Sequence, residues 1–330
     1  MNRLTYDDVK QAGDRIAGRV RPVVLAPADP GATGPTGGPA GGPAVGSAEV
    51  WLALEFLQHT GSFKARGAQN FLQAHRAAGT LPDTGVTIAS GGNAGLACAW
   101  AARAQGIPAT VFLPENAPPV KIARLRSYGA EVRLVGTRYA EALAACEEYA
   151  ARSGALASHA YDHPLIAAGA GTLLEEIHRQ LPGLDTVVVA VGGGGLFAGV
   201  ATAAGHHGVR AVAAEPENCR ALNAAIEAGT VVEVLVDSIA SDSLGASRAT
   251  PLALAAAQQA DVRSVLVPDP EISRARHTLW DTHRIPVEHG AATALAALTS
   301  SAYRPSPGER VCVILCGANT DTGTLGAELH

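Results

Sequence analysis

The sequence predicts an α/β protein with two open, twisted, mostly parallel sheets flanked by helices. Three observations carry that expectation. Short β-branched apolar runs recur and alternate with longer helical patterns, as in parallel sheets covered on both faces. Ala and Gly are abundant and aromatic residues scarce, which suits helices packed closely on a sheet. Glycine-containing turns join several of these strands to the helices that follow.

The elements run in order from Val86. VTIAS (86–90) reads as a strand and Ala94 to Ala104 as a helix. ATVFLP (109–114) is strand-like. PPVKIARLRSYG (118–129) is a helix that starts at proline and stops at glycine. AEVRLVG (130–136) is a strand and TRYAEALAACEEYAARSG (137–154) a helix. DTVVVAV (185–191), VRAVAAE (209–215) and RVCVILC (310–316) are further strands with helices between. No heptad array or solenoid repeat is present. Residues Pro27 to Ser47, crowded with Gly, Pro and Ala, read as a flexible surface loop without a catalytic role.

Charge and hydropathy exclude several functions. The chain has 330 residues and a formal charge of -5, with no basic run to suggest nucleic acid. No apolar stretch is long enough to span a bilayer. The N-terminus, MNRLTYDDVK, lacks an apolar signal core, so a cytoplasmic location is expected. Cys98, Cys146, Cys219, Cys312 and Cys316 form no CxxC pair or metal-ligand pattern; reduced, buried thiols are expected.

Four segments carry candidate chemistry. In LQHTGSFKARGA, Lys64 follows a Gly-Ser-Phe turn. Burial lowers a lysine pKa and frees the amine as a nucleophile, and Phe63 can supply an apolar wall. Taken alone, the segment reads more readily as a solvated surface lysine. SGGNAGLACAWAA begins at a strand's carboxyl end and opens a helix. Ser90 and the amides of Gly91, Gly92, Asn93 and Ala94 suit a carboxylate there, although a plain capped turn reads equally well. VGGGGLFAG places Gly192, Gly193, Gly194 and Gly195 between a strand and a helix, the physics of a phosphate cradle. VILCGANTD ends a strand at Cys316, where ligands of parallel sheets bind; a buried small hydrophobe is the alternative.

The glycine loop also fits a dinucleotide fingerprint. Gly193, Gly195 and Ala198 match GxGxxA, and Glu215 closes the next strand, where an acid would hold a ribose. An NAD-dependent oxidoreductase is the runner-up on spacing. That fingerprint usually opens its domain, however, and the Lys64 and Asn93 segments would then lack a purpose.

Together and in this order, the four segments resemble the fold-type II pyridoxal-phosphate enzymes. TGSFKARGA is similar to the serine/threonine dehydratase and serine racemase branch, and the resemblance runs from about Arg21 to Asp321. It implies a large cofactor-binding domain (residues 1–84 and 163–330) and a small substrate-closing domain (85–162). It implies that Lys64 forms the Schiff base, that Phe63 packs against the ring, and that Asn93 bonds the ring's 3-oxygen. Gly192 to Gly195 with the Leu196 amide would bind the phosphate, and Cys316 would face the pyridine nitrogen. Ser90 to Ala94 would take the substrate carboxylate, and Glu288 matches a family glutamate near the site.

The implied activity is an ammonia-lyase that removes water and then ammonia from L-threonine or L-serine, giving 2-oxobutyrate or pyruvate. A serine racemase and a dehydratase of another 3-hydroxy amino acid, such as 3-hydroxyaspartate, are the enzyme alternatives. A non-catalytic binding homologue is the alternative of another class. Racemases of the branch carry a second serine where this chain has Gly91, which favours elimination. The branch's divalent site loses its aspartate at Ala221, so no metal is expected, and Glu215 remains a candidate only for a monovalent or weakly held cation. Gly169-Ala170-Gly171-Thr172 and His289 depart from the usual pattern and leave the substrate open. A homodimer acting on a small amino acid is expected, with no nucleic-acid or membrane partner.

Overall fold

The computed structural model describes residues 3–29 and 48–325. The N-terminal part holds α1 (Tyr6–Ile16), β1 (Leu25–Pro27), β2 (Glu49–Ala53) and α2 (Lys64–Ala77). Next come β3 (Val86–Ala89), α3 (Asn93–Ala104), β4 (Ala109–Leu113), α4 (Pro119–Ser127), β5 (Glu131–Leu134), α5 (Tyr139–Ser153) and β6 (Leu156–Ala157). The chain continues through α6 (Pro164–Gln180), β7 (Thr186–Ala190), α7 (Gly195–His207), β8 (Arg210–Pro216), α8 (Ala221–Ala228), α9 (Ser241–Leu244) and α10 (Pro251–Ala257). It closes with β9 (Val262–Val267), α11 (Asp269–His283), α12 (His289–Thr299) and β10 (Arg310–Ile314).

The strands form two sheets, as the apolar runs imply. A six-stranded sheet has the order β1-β2-β10-β7-β8-β9, and a four-stranded sheet the order β5-β4-β3-β6. Every pairing is parallel except β1 with β2. The middle strands β3, β4 and β7 are buried along their whole length, which is why they read as unbroken apolar runs. The segment read as a loop from Pro27 differs at its start, because Pro27 ends β1 opposite Trp51. An edge strand tolerates proline, since its missing N–H has no ladder to serve. Residues 30–47 of that segment lie outside the described residues.

Small residues set the helix spacing. A Cβ on Gly67 of α2 would lie 2.7 Å from the Ile166 carbonyl oxygen, and one on Gly169 of α6 would lie 2.7 Å from the Arg66 oxygen. On the other side of α6, a Cβ on Gly199 of α7 would come within 2.1 Å of the Ala167 oxygen. The backbones of α2, α6 and α7 therefore meet directly, which any larger residue would prevent. Among the described residues, all five cysteines are buried and free, as expected, and no helix is long and apolar enough to cross a membrane.

Candidate active site

A cleft of 1240 Å³ opens beside the carboxyl ends of the strands and is lined by Lys64, Ser90, Asn93, Gly193, Glu288 and Cys316 among others. The residues singled out from four distant segments thus share one wall. Lys64 is the first residue of α2, held by the turn before it. That turn is tied to the segment after β10: the Phe63 N–H donates to the Cys316 oxygen at 3.0 Å and the Ala318 N–H to the Gly61 oxygen at 3.0 Å. Lys64 Nζ donates to the Ala160 oxygen at 2.7 Å. It lies 4.9 Å from the Phe63 ring centre, so Phe63 does form an apolar wall.

Burial pulls the Lys64 amine down from the usual lysine range to about 8, with Glu288 opposing the shift. The neutral, nucleophilic form therefore dominates above about pH 8 instead of above pH 10.5. Reductive trapping of a small aldehyde at Lys64 of cofactor-free protein, followed by peptide mass spectrometry, should rise through about pH 8 and then level off. A rate still climbing at pH 10.5 would contradict this.

The glycine turn follows β7 and opens α7. Its packing requires glycine. A Cβ on Gly193 would lie 2.3 Å from the Tyr161 ring, and Gly194 has a φ of 95° with Ala253 2.4 Å from where its Cβ would be. Among the described residues, no protein group accepts a hydrogen bond from the amides of Gly192, Gly193 or Gly194. Gly195 and Leu196 open the helix, where amides lack intrahelical partners. Several orphan donors thus sit at a helix N-terminus beside the cleft, and the donor set fits a phosphate.

Along the same cleft, α3 begins at Asn93, one residue before the expected Ala94. Ser90 Oγ accepts from the Gly92 N–H at 3.4 Å. A Cβ on Gly91 would approach Leu113 Cδ2 at 2.8 Å, so leucine fills the space beside this glycine. Asn93 Nδ2 donates to both oxygens of Glu288 at 3.0 and 3.2 Å, and Asn93 Oδ1 accepts from Asn319 Nδ2 at 2.7 Å. Burial pushes the Glu288 carboxyl up. Burial, reinforced by Glu288, also pushes the Cys316 thiol far up, so it stays neutral.

Glu215 serves elsewhere. Its two oxygens accept from the Leu222 and Asn223 amides at 2.8 and 2.7 Å, so it caps α8 from the end of β8. A carboxylate occupied in this way is not presented to a ribose, which removes the support for a dinucleotide reading. Among the described residues, no group of three or more His, Cys, Asp or Glu is placed to hold a metal ion.

Three residues near the site carried no isolated signal. Tyr161 packs on the glycine turn with its ring centre 5.8 Å from Lys64 Nζ. Asn319 joins Asn93 to the backbone of the lysine turn. Arg66, two residues beyond Lys64, is fully buried between Glu55 and Glu176, with its nearest contact to each at 2.7 Å.

Known proteins resemble this chain over most of its length. The family model described as "Pyridoxal-phosphate dependent enzyme" matches residues 39–317. The chain is 34% identical to an L-threonine ammonia-lyase of Geobacter sulfurreducens, over 99% of its own length and 78% of that protein's. It is 38% identical to a human serine dehydratase-like protein, over 82% of this chain and 85% of that one. Among solved structures, maize serine racemase superposes with a TM-score of 0.88 at 27% identity, covering 98% of this chain and 96% of that one.

Proposed function

The chain belongs to the pyridoxal-phosphate dependent enzymes, and from that premise we propose that it is a lyase releasing ammonia from L-threonine or L-serine, with 2-oxobutyrate or pyruvate as the other product. Its relatives named L-threonine ammonia-lyase and serine dehydratase-like support the class. The observation that carries the choice of elimination is an asymmetry. Lys64 brings a titratable amine to the cleft, while Gly91, which also lines it and is backed by Leu113, has no acid–base group to offer.

The residues divide the work. The amides of Gly192 to Gly195 and Leu196 would hold the cofactor phosphate, Lys64 its covalent attachment and Asn93 its ring 3-oxygen. Phe63 would pack on the ring, and Cys316 would face its nitrogen. When bound, pyridoxal phosphate supplies the electron sink that makes the substrate Cα–H acidic. The Lys64 amine would be the base that removes the Cα proton. The Cys316 thiol, kept neutral by its surroundings, would offer the ring nitrogen no charge, a setting that would favour loss of the β-hydroxyl over transamination. Ser90 to Ala94 hold the substrate carboxylate at the start of α3. Residues 85–162, whose strands form a sheet of their own, are the unit that closes on the substrate; residues 1–84 and 163–330 carry the cofactor. The homodimer expected from the resemblance and the cytoplasmic location expected from the sequence extend this proposal.

A panel of L- and D-3-hydroxy amino acids, scored for ammonia, 2-oxo acid and inverted enantiomer, tests the reading. Ammonia and 2-oxo acid from L-threonine or L-serine are expected. Racemisation of serine as fast as elimination would refute the role given to Gly91. Turnover of 3-hydroxyaspartate alone would move the substrate and keep the chemistry.

A further inference from the structure

We propose that Asn319 and Glu288 are a pair of positioning residues that fix which end of the Asn93 amide faces the cofactor. The proposal rests on the cofactor reading above. An asparagine side chain offers an NH₂ donor and an oxygen acceptor of nearly equal shape, so its orientation is decided by its neighbours. The 3-oxygen of the ring is an acceptor and needs the N–H. A carbonyl oxygen turned towards it would repel it.

Both neighbours of Asn93 discriminate between the two ends. Asn319 Nδ2 can only donate, and it donates to Asn93 Oδ1 at 2.7 Å. The Glu288 carboxylate accepts from Asn93 Nδ2 with both oxygens. One hydrogen of Nδ2 suffices for that carboxylate, which leaves the second for a ligand. A flipped Asn93 would set oxygen against carboxylate and NH₂ against NH₂, losing two hydrogen bonds and adding two repulsions.

The polarity is anchored in the backbone. Asn319 Nδ2 also donates to the Thr60 carbonyl oxygen at 2.7 Å, and a carbonyl cannot exchange its ends. Thr60 holds a φ of 64°, a left-handed conformation seldom taken by a β-branched residue. Gly61, next in the chain, makes room: a Cβ there would touch Asn319 Oδ1 at 3.0 Å. The Gly317 position opens space for Glu288 in the same way, since a Cβ on it would lie 2.5 Å from Oε1. Thr60, Asn319, Asn93 and Glu288 therefore form one directed chain of donors and acceptors, starting four residues before Lys64.

The test compares the holoenzyme with Asn93→Ala, Glu288→Gln and the double variant Asn319→Asp with Glu288→Gln. Glu288→Gln is nearly isosteric and guards against loss of folding. The double variant reverses the donors and acceptors around Asn93. The readouts are the visible absorption band, its pH titration and the dissociation constant for pyridoxal phosphate. In the double variant the band should shift in the same direction as in Asn93→Ala, with cofactor binding weakened by about tenfold, the loss of one hydrogen bond to a charged oxygen. Glu288→Gln should give a smaller shift of the same sign. Wild-type spectra and affinity in both Glu288→Gln and the double variant would overturn the proposal, as would a wild-type spectrum in Asn93→Ala. A wild-type protein that develops no visible band would instead sink the cofactor reading.

Discussion

Replacing Lys64 by alanine is expected to remove the absorption band of the lysine-linked cofactor and to lower turnover by about 10⁴-fold, the upper end of what a positioned base contributes. Two losses combine. The covalent attachment disappears, so the cofactor is held only by the glycine-turn amides and the ring contacts. The base also disappears, and Gly91 has no side chain to replace it. The fold should survive, because the one hydrogen bond of Nζ among the described residues goes to the Ala160 oxygen at the cleft wall. A small primary amine added to the variant should restore part of the turnover, in proportion to its basicity. A variant that keeps more than about a tenth of the activity would remove Lys64 from the chemistry.

The second large effect concerns stability. Arg66 is fully buried and binds two carboxylates at once: Nε and Nη2 reach Glu55 at 2.7 and 3.0 Å, and Nη1 and Nη2 reach Glu176 at 2.7 and 3.1 Å. Nη1 also donates to Thr172 Oγ1 at 3.2 Å. Arg66→Met keeps much of the volume and strands both acids. Breaking a buried pair from one side costs about 3–5 kcal/mol, because a buried charge is left uncompensated. Chemical denaturation of the cofactor-free protein should register a loss of that size. Adding Glu55→Gln should recover part of it, since the arginine and that acid are coupled. Arg66→Lys should fail almost as badly, for an ammonium cannot serve two carboxylates in fork geometry. A loss below about 1 kcal/mol in Arg66→Met would contradict the account.

Much of this was legible in the sequence, for identifiable reasons. β3, β4, β7, β8 and β10 are apolar runs because they lie inside their sheets. β6 has two residues and β1 three, one of them proline, too little pattern for any periodicity. Lys64, Asn93, the glycine turn and Cys316 sit at strand ends or turns whose local composition is unusual. Asn319 and Tyr161 are ordinary polar and aromatic residues whose meaning comes from partners far away in the chain. Arg66 was visible within the lysine motif, but its two acids lie at positions 55 and 176, and pairing at that separation is a property of the fold. One further signal was available. The chain contains only three lysines, Lys10, Lys64 and Lys121, while its other basic side chains are arginine. A chain that so rarely uses lysine, yet keeps one between phenylalanine and alanine, has a reason to want an amine there.

The close contacts around α6 have a metrical consequence. The lysine begins one of its neighbours, α2, and the glycine turn begins the other, α7. Both neighbours touch α6 backbone to backbone. The gap between Lys64 and the glycine turn is therefore gauged by a helix, as by the bar of a calliper, and not by the loops beside the cleft. Loops can vary in this protein without changing that gap, whereas one added methyl at Gly169 or Gly199 would widen it.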